Sequence, residues 1–74
     1  MTKKSKALSR ADQIERRLLG VPCDVWWSRQ DAAYIAFSPQ FPGLLTADPW
    51  SSLGAINRLE DEIRRVLQTE PVAA

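Results

Sequence analysis

Three features of this 74-residue chain predict an α+β fold of order α-βββ-α. Two amphipathic segments carry helix-capping signals, two runs rich in β-forming residues lie between them, and a Pro-Gly turn follows the second run. Together they predict a three-stranded antiparallel sheet packed on a long C-terminal helix. A chain of this length makes one small domain, burying only about 60% of the surface its unfolded form exposes. The expected organisation is a basic, disordered tail over 1–8, a single domain over 9–70 and a short tail over 71–74.

The tail over 1–8 holds Lys3, Lys4 and Lys6. Ser9 followed by Asp12 resembles a capping box, the hydroxyl accepting an orphan N–H and the acid suiting the positive helix end. Ala11, Ile14 and Leu18, with Leu19 adjacent, recur at helical spacing, and Arg16 and Arg17 complement the negative end. Gly20, able to take a left-handed backbone, and then Pro22 end this helix, which is expected over roughly 10–19.

Cys23 to Ser28 and Ala33 to Ser38 read as paired strands joined by Arg29-Gln30-Asp31-Ala32. Alternation puts Val25 and Trp27 opposite Trp26, and Ile35 and Phe37 opposite Tyr34 and Ala36. Both sheet faces are thus partly apolar, so the second needs a cover: the N-terminal helix, a second copy or a partner. Trp27, Ile35 and Phe37 are expected in the core. Pro39-Gln40-Phe41-Pro42-Gly43 forms a rigid turn before a short third strand at Leu44-Leu45-Thr46. Asp48 before Pro49 reads as an N-cap, starting a helix over about 48–68. Leu53, Ile56, Leu59, Ile63, Val66 and Leu67 form its apolar stripe. Glu60 with Arg64 and Asp61 with Arg65 are placed for i,i+4 ion pairs on its solvent side.

The run Tyr34, Ile35, Ala36, Phe37, Ser38, Phe41, Pro42, Gly43, Leu44 and Thr46, with Trp27-Ser28 before it and an amphipathic helix after it, resembles the HicB family. These are antitoxins of bacterial type II toxin-antitoxin pairs and their relatives. The resemblance spans about Asp24 to Leu67. It implies a partial ribonuclease-H-like fold without catalytic acids, and a role in neutralising a HicA-like RNA-cleaving toxin. The chain departs from the family pattern in three places. Ala32 and Ala33 stand where relatives often carry a hairpin glycine, an extra helix precedes the family domain, and the chain is expected to lack the C-terminal DNA-binding domain of many relatives.

Ten Lys and Arg against nine Asp and Glu leave a net charge of +1, which selects no charged partner. With no histidine and a single cysteine, Cys23, the common zinc patterns, a disulfide within the chain and His-based triads are excluded. Cys23 itself reads as an inert buried thiol. The expectation is therefore a binding module, not an enzyme, with no cofactor and no metal, in the cytoplasm. No apolar run approaches the length of a membrane span.

Three readings of function follow. In the first, the chain occludes a small basic protein such as a HicA-like toxin. Its anchors are Trp26, Tyr34 and Phe41 on the exposed strand face and the turn beside it, with Trp50 as a further anchor. In the second, it is an orphan relative of phage or prophage type, an oligomer, most simply a dimer, with another protein target. In the third, it binds nucleic acid through Lys3, Lys4, Lys6 and Arg10. Residues 1–17 carry six basic against two acidic side chains.

Overall fold

The computed structural model describes residues 9–70, so the expected tails over 1–8 and 71–74 lie outside the described residues. The order is α1 (Arg10–Leu19), β1 (Asp24–Ser28), β2 (Ala33–Phe37), β3 (Leu45–Asp48) and α2 (Ser52–Thr69), the α-βββ-α arrangement read from the sequence. The Ser9 hydroxyl accepts the Asp12 N–H at 3.1 Å and caps α1. Gly20 closes the helix without a left-handed backbone, at φ −91° and ψ 0°. The last turn is tightened instead, with the Gly20 N–H donating to the Arg17 carbonyl at 3.0 Å and the Val21 N–H to that of Leu18 at 3.1 Å.

The sheet is an antiparallel meander in the order β1-β2-β3. Its register places Val25, Ala36 and Thr46 in one row and Trp27, Tyr34 and Asp48 in the next. Both rows face α2. Ala36 is fully buried against the helix, and the Thr46 hydroxyl donates to the Ala55 carbonyl of α2 at 2.8 Å. Trp26, Ile35 and Ala47, with Phe37 and Leu45, lie on the opposite face.

The start of α2 differs from the sequence expectation. Asp48 is the last residue of β3 and not the N-cap. Its carboxylate accepts the N–H groups of Trp50 at 2.7 Å and Ser51 at 3.1 Å, so the side chain stabilises a turn out of the strand. Ser51 then caps α2, its hydroxyl accepting the Gly54 N–H at 3.0 Å.

The buried row of α2 is Ala55, Leu59, Ile63 and Leu67, each 0–1% exposed. Ile56 is partly buried beside it. Leu53, expected in the core, is 63% exposed. Residues two apart on a helix point about 200° from each other, so burying Ala55 turns Leu53 outward. The expected i,i+4 ion pairs are replaced by Arg64 with Asp61 at 2.7 Å and Arg65 with Glu62 at 2.6 Å, both i,i+3. Arg64 also holds Glu15 of α1 at 2.6 Å, and that second partner sets where its guanidinium sits.

Helix α1 packs on α2 and not on the sheet. Ile14 and Leu18 join the core there, while Leu19 remains 88% exposed. Arg17 reaches Glu70 at 2.7 Å, and the Arg10 guanidinium donates to the Leu67 carbonyl at 2.8 Å and to that of Glu70 at 3.3 Å. Carbonyls at the end of α2 that lack helical partners thus receive donors from α1. The N-terminal helix therefore leaves the second face of the sheet uncovered.

Candidate interaction surface

The sheet face that no described element covers is apolar across all three strands. Trp26 stands on β1, Ile35 and Phe37 on β2, and Leu45 and Ala47 on β3. Trp26 and Phe37 meet edge to face with ring centroids 5.4 Å apart. Ile35, crowded by these neighbours, is only 5% exposed, whereas Trp26 at 45% and Leu45 at 66% form the accessible relief. The one charged residue of the three strands on this side is Asp24, at the corner where it pairs with Phe37.

The four aromatic residues singled out in the sequence are not brought together. Trp26 is on the open face. Tyr34 is on the opposite, helix-covered face, where its ring packs edge to face against Trp27 at 5.0 Å and it borders the core. Phe41 is also packed against the core, in the turn after β2. That turn is held by the Phe41 N–H donating to the Ser38 carbonyl at 3.0 Å and the Leu44 N–H to that of Phe41 at 2.9 Å. Trp50 is 87% exposed in the turn before α2. Of the three residues expected in the core, Ile35 is buried and Phe37 half-buried, but Trp27 remains 47% exposed at the sheet edge. Leu45 was not singled out in the sequence, because a short run of Leu44-Leu45-Thr46 does not say which face meets the helix until Thr46 is tied to α2. With Thr46 facing α2, its neighbour Leu45 must point the other way.

Among the basic residues proposed for nucleic acid, Lys3, Lys4 and Lys6 lie outside the described residues. Arg10 is engaged with the end of α2, as described above.

A second surface feature is polar. Thr46 and Ala47 of β3 and Arg58, Asp61, Glu62 and Arg65 of α2 line an open cleft of about 310 Å³. Arg58 lies 3.6 Å from the Asp48 carboxylate. The Trp50 N–H above all, then the Ser51 N–H and Arg58, hold the Asp48 carboxyl below the usual carboxylate range, although burial opposes them. Glu15 is lowered by its hydrogen bonds to Arg64, whose own pKa is raised by the same contact. Burial, with Glu60 and Asp24 nearby, pushes the partly buried Cys23 thiol up, which keeps it protonated and weakly nucleophilic. Among the described residues no group of three or more His, Cys, Asp or Glu side chains converges to hold a metal ion, and no helix is long and apolar enough to cross a membrane.

No family model, curated protein or solved structure matches this chain.

Proposed function

We propose that this chain is a small protein-binding module that acts by covering the surface of a partner, in the manner of the HicB-like antitoxins its central segment resembles. The observation that carries the reading is the open sheet face, where Trp26, Phe37 and Leu45 stand over a buried Ile35 with no element of the described fold against them. A contiguous exposed apolar face on a small domain marks an interaction site. Its anchors are revised accordingly. Trp26 and Leu45 take the central role, while Tyr34 and Phe41 support the sheet and its turn from the core side. A rigid indole in contact with Phe37 loses little entropy on binding, which suits it to be an energetic centre.

The partner in this reading is a small basic protein such as a HicA-like RNA-cleaving toxin, occluded without turnover of a substrate. Co-expression with the product of the adjacent reading frame tests it. The wild-type chain should restore growth and co-purify with that product. Trp26→Ala and Leu45→Asp should each lose rescue while keeping the wild-type circular dichroism, at a cost of about 2 kcal/mol or more in binding for the indole. Absence of rescue and of co-purification with the wild-type chain refutes the toxin-occluding reading.

A further inference from the structure

The two edges of the sheet are treated differently. Beside β3, the charged side chains of Arg58, Asp61, Glu62 and Arg65 line the cleft along Thr46 and Ala47, and Pro49 follows the strand directly. Charged groups and proline next to an edge strand are the usual protection against pairing with another chain. Strand β1 is less protected: Asp24 at its start is its one charged residue, Arg29 follows its end, and Val25, Trp26 and Trp27 between them are uncharged. Its sequence, Asp-Val-Trp-Trp-Ser, contains no Lys, Arg or Pro, and its pairing with β2 runs without a bulge from Asp24↔Phe37 to Ser28↔Ala33. Among the described residues nothing pairs with its outer side.

We propose that β1 is a self-pairing edge, and that two copies of this chain join antiparallel through it into one six-stranded sheet. This deepens the binding-module reading by naming the arrangement in which the open face is presented. A two-fold axis perpendicular to the sheet requires each residue to oppose one with the same facing, and the register using all five residues is centred on Trp26. In that register Val25 of each copy lies opposite Trp27 of the other on the helix side. The half-exposed Trp27 then gains an aliphatic neighbour of the aromatic-to-β-branched kind that stabilises sheets. On the open side the two Trp26 indoles are adjacent, each backed by its own Phe37 at 5.4 Å. The acid at Asp24 falls opposite the neutral Ser28 of the other copy, so no like charges oppose each other across the seam. Both α2 helices lie on the same side, and the two open faces merge into one of twice the area.

The charge arrangement supplies the test. Asp24 and Ser28 are four residues apart along one strand, about 13 Å, so within a single chain they do not touch. Across the proposed seam they are direct neighbours, twice. Sedimentation equilibrium over the micromolar range should show a dimer for the wild-type chain. Ser28→Glu should weaken it about three- to tenfold, since an acid then opposes Asp24 in both symmetry-related pairs. Adding Asp24→Lys should restore the dimer to wild-type strength or better. Because Ser28 also bonds Asp31 at 2.8 Å, Ser28→Ala serves as the control for local damage to the hairpin, and its dimer constant should stay near wild type.

Three results overturn the proposal: a wild-type monomer throughout that range, independent effects of the two substitutions, or a dimer that survives Ser28→Glu and is abolished by Leu45→Lys. The last would place the second copy on the open face instead of the edge. A monomer that still neutralises the partner protein refutes the edge pairing alone. A dimer with the expected coupling that rescues nothing refutes the occlusion reading alone.

Discussion

Replacing Gly54 by alanine should destabilise this domain, against the usual effect of that change in a helix. Alanine is favoured over glycine in a helix interior by up to about 1 kcal/mol, and Gly54 has an ordinary backbone three residues into α2. The obstacle is steric. A methyl group at Gly54 would overlap the carboxylate of Asp48, lying 2.9 Å from its Cγ and 3.4 Å from the Ser51 Cβ. Elsewhere a carboxylate could swing aside. Here it accepts the Trp50 and Ser51 N–H groups and faces Arg58, so moving it undoes the turn that carries the chain from β3 into α2. Overpacking of this kind costs about 1–3 kcal/mol against a propensity gain of up to about 1 kcal/mol, which leaves a net loss of up to about 2 kcal/mol. In a domain this small that is a fall in Tm of up to about 15 °C, readable by circular dichroism. The decisive arm is the double variant. On an Asp48→Ser background the overlap is gone, and Gly54→Ala should become stabilising by up to about 1 kcal/mol. A rise in Tm for Gly54→Ala in the otherwise wild-type chain, or the same sign of effect on both backgrounds, would refute the reasoning.

Ala32 is the one described residue beyond glycine with a positive φ, 51°, at the end of the β1–β2 loop. Ala32→Gly should raise stability by about 0.5–1 kcal/mol, since the left-handed penalty on alanine exceeds the entropy glycine adds to the unfolded chain, and urea unfolding is the measurement. Ile63 is fully buried in the centre of α2, so Ile63→Asp places an unpaired charge in the core and should abolish the cooperative thermal transition. Asp48 and Glu15 both have lowered pKa values in the folded chain, so each favours folding above the ordinary carboxylate pKa of about 4. That contribution is lost as the pH falls through the folded values. Thermal scans from neutral pH downward should show Tm dropping on the acid side of this range, and Asp48→Asn should make the drop shallower.

Element order, strand number and the two helices were legible in local signals. The Ser9 cap, the β-branched and aromatic runs, and the apolar spacing from Leu59 to Leu67 each report on a few neighbouring residues, the range over which propensity and capping act. Strand parity was legible too. The opposite facing of Trp26 and Trp27 needs only the pleat.

Four matters were settled by the folded geometry and not by residue type. Asp48 and Pro49 carry the residue types of a helix start, yet the carboxylate closes a turn and gives the cap to Ser51, because two N–H donors and Arg58 converge on it. Leu53 fits the apolar stripe by spacing, but Ala55 against Ala36 and the Thr46 bond to the Ala55 carbonyl choose which side of α2 meets the sheet. Trp26 and Tyr34 look like one aromatic surface until the register of β1 on β2 puts them on opposite faces. The sequence alone made the second sheet face apolar and required that something cover it. That α1 is not the cover was decided by tertiary packing. Ile14 and Leu18 find their apolar partners along α2, and Glu15, Arg17 and Arg10 are held there by Arg64, Glu70 and the last carbonyls of that helix, contacts spanning 49 to 60 residues that no local pattern encodes.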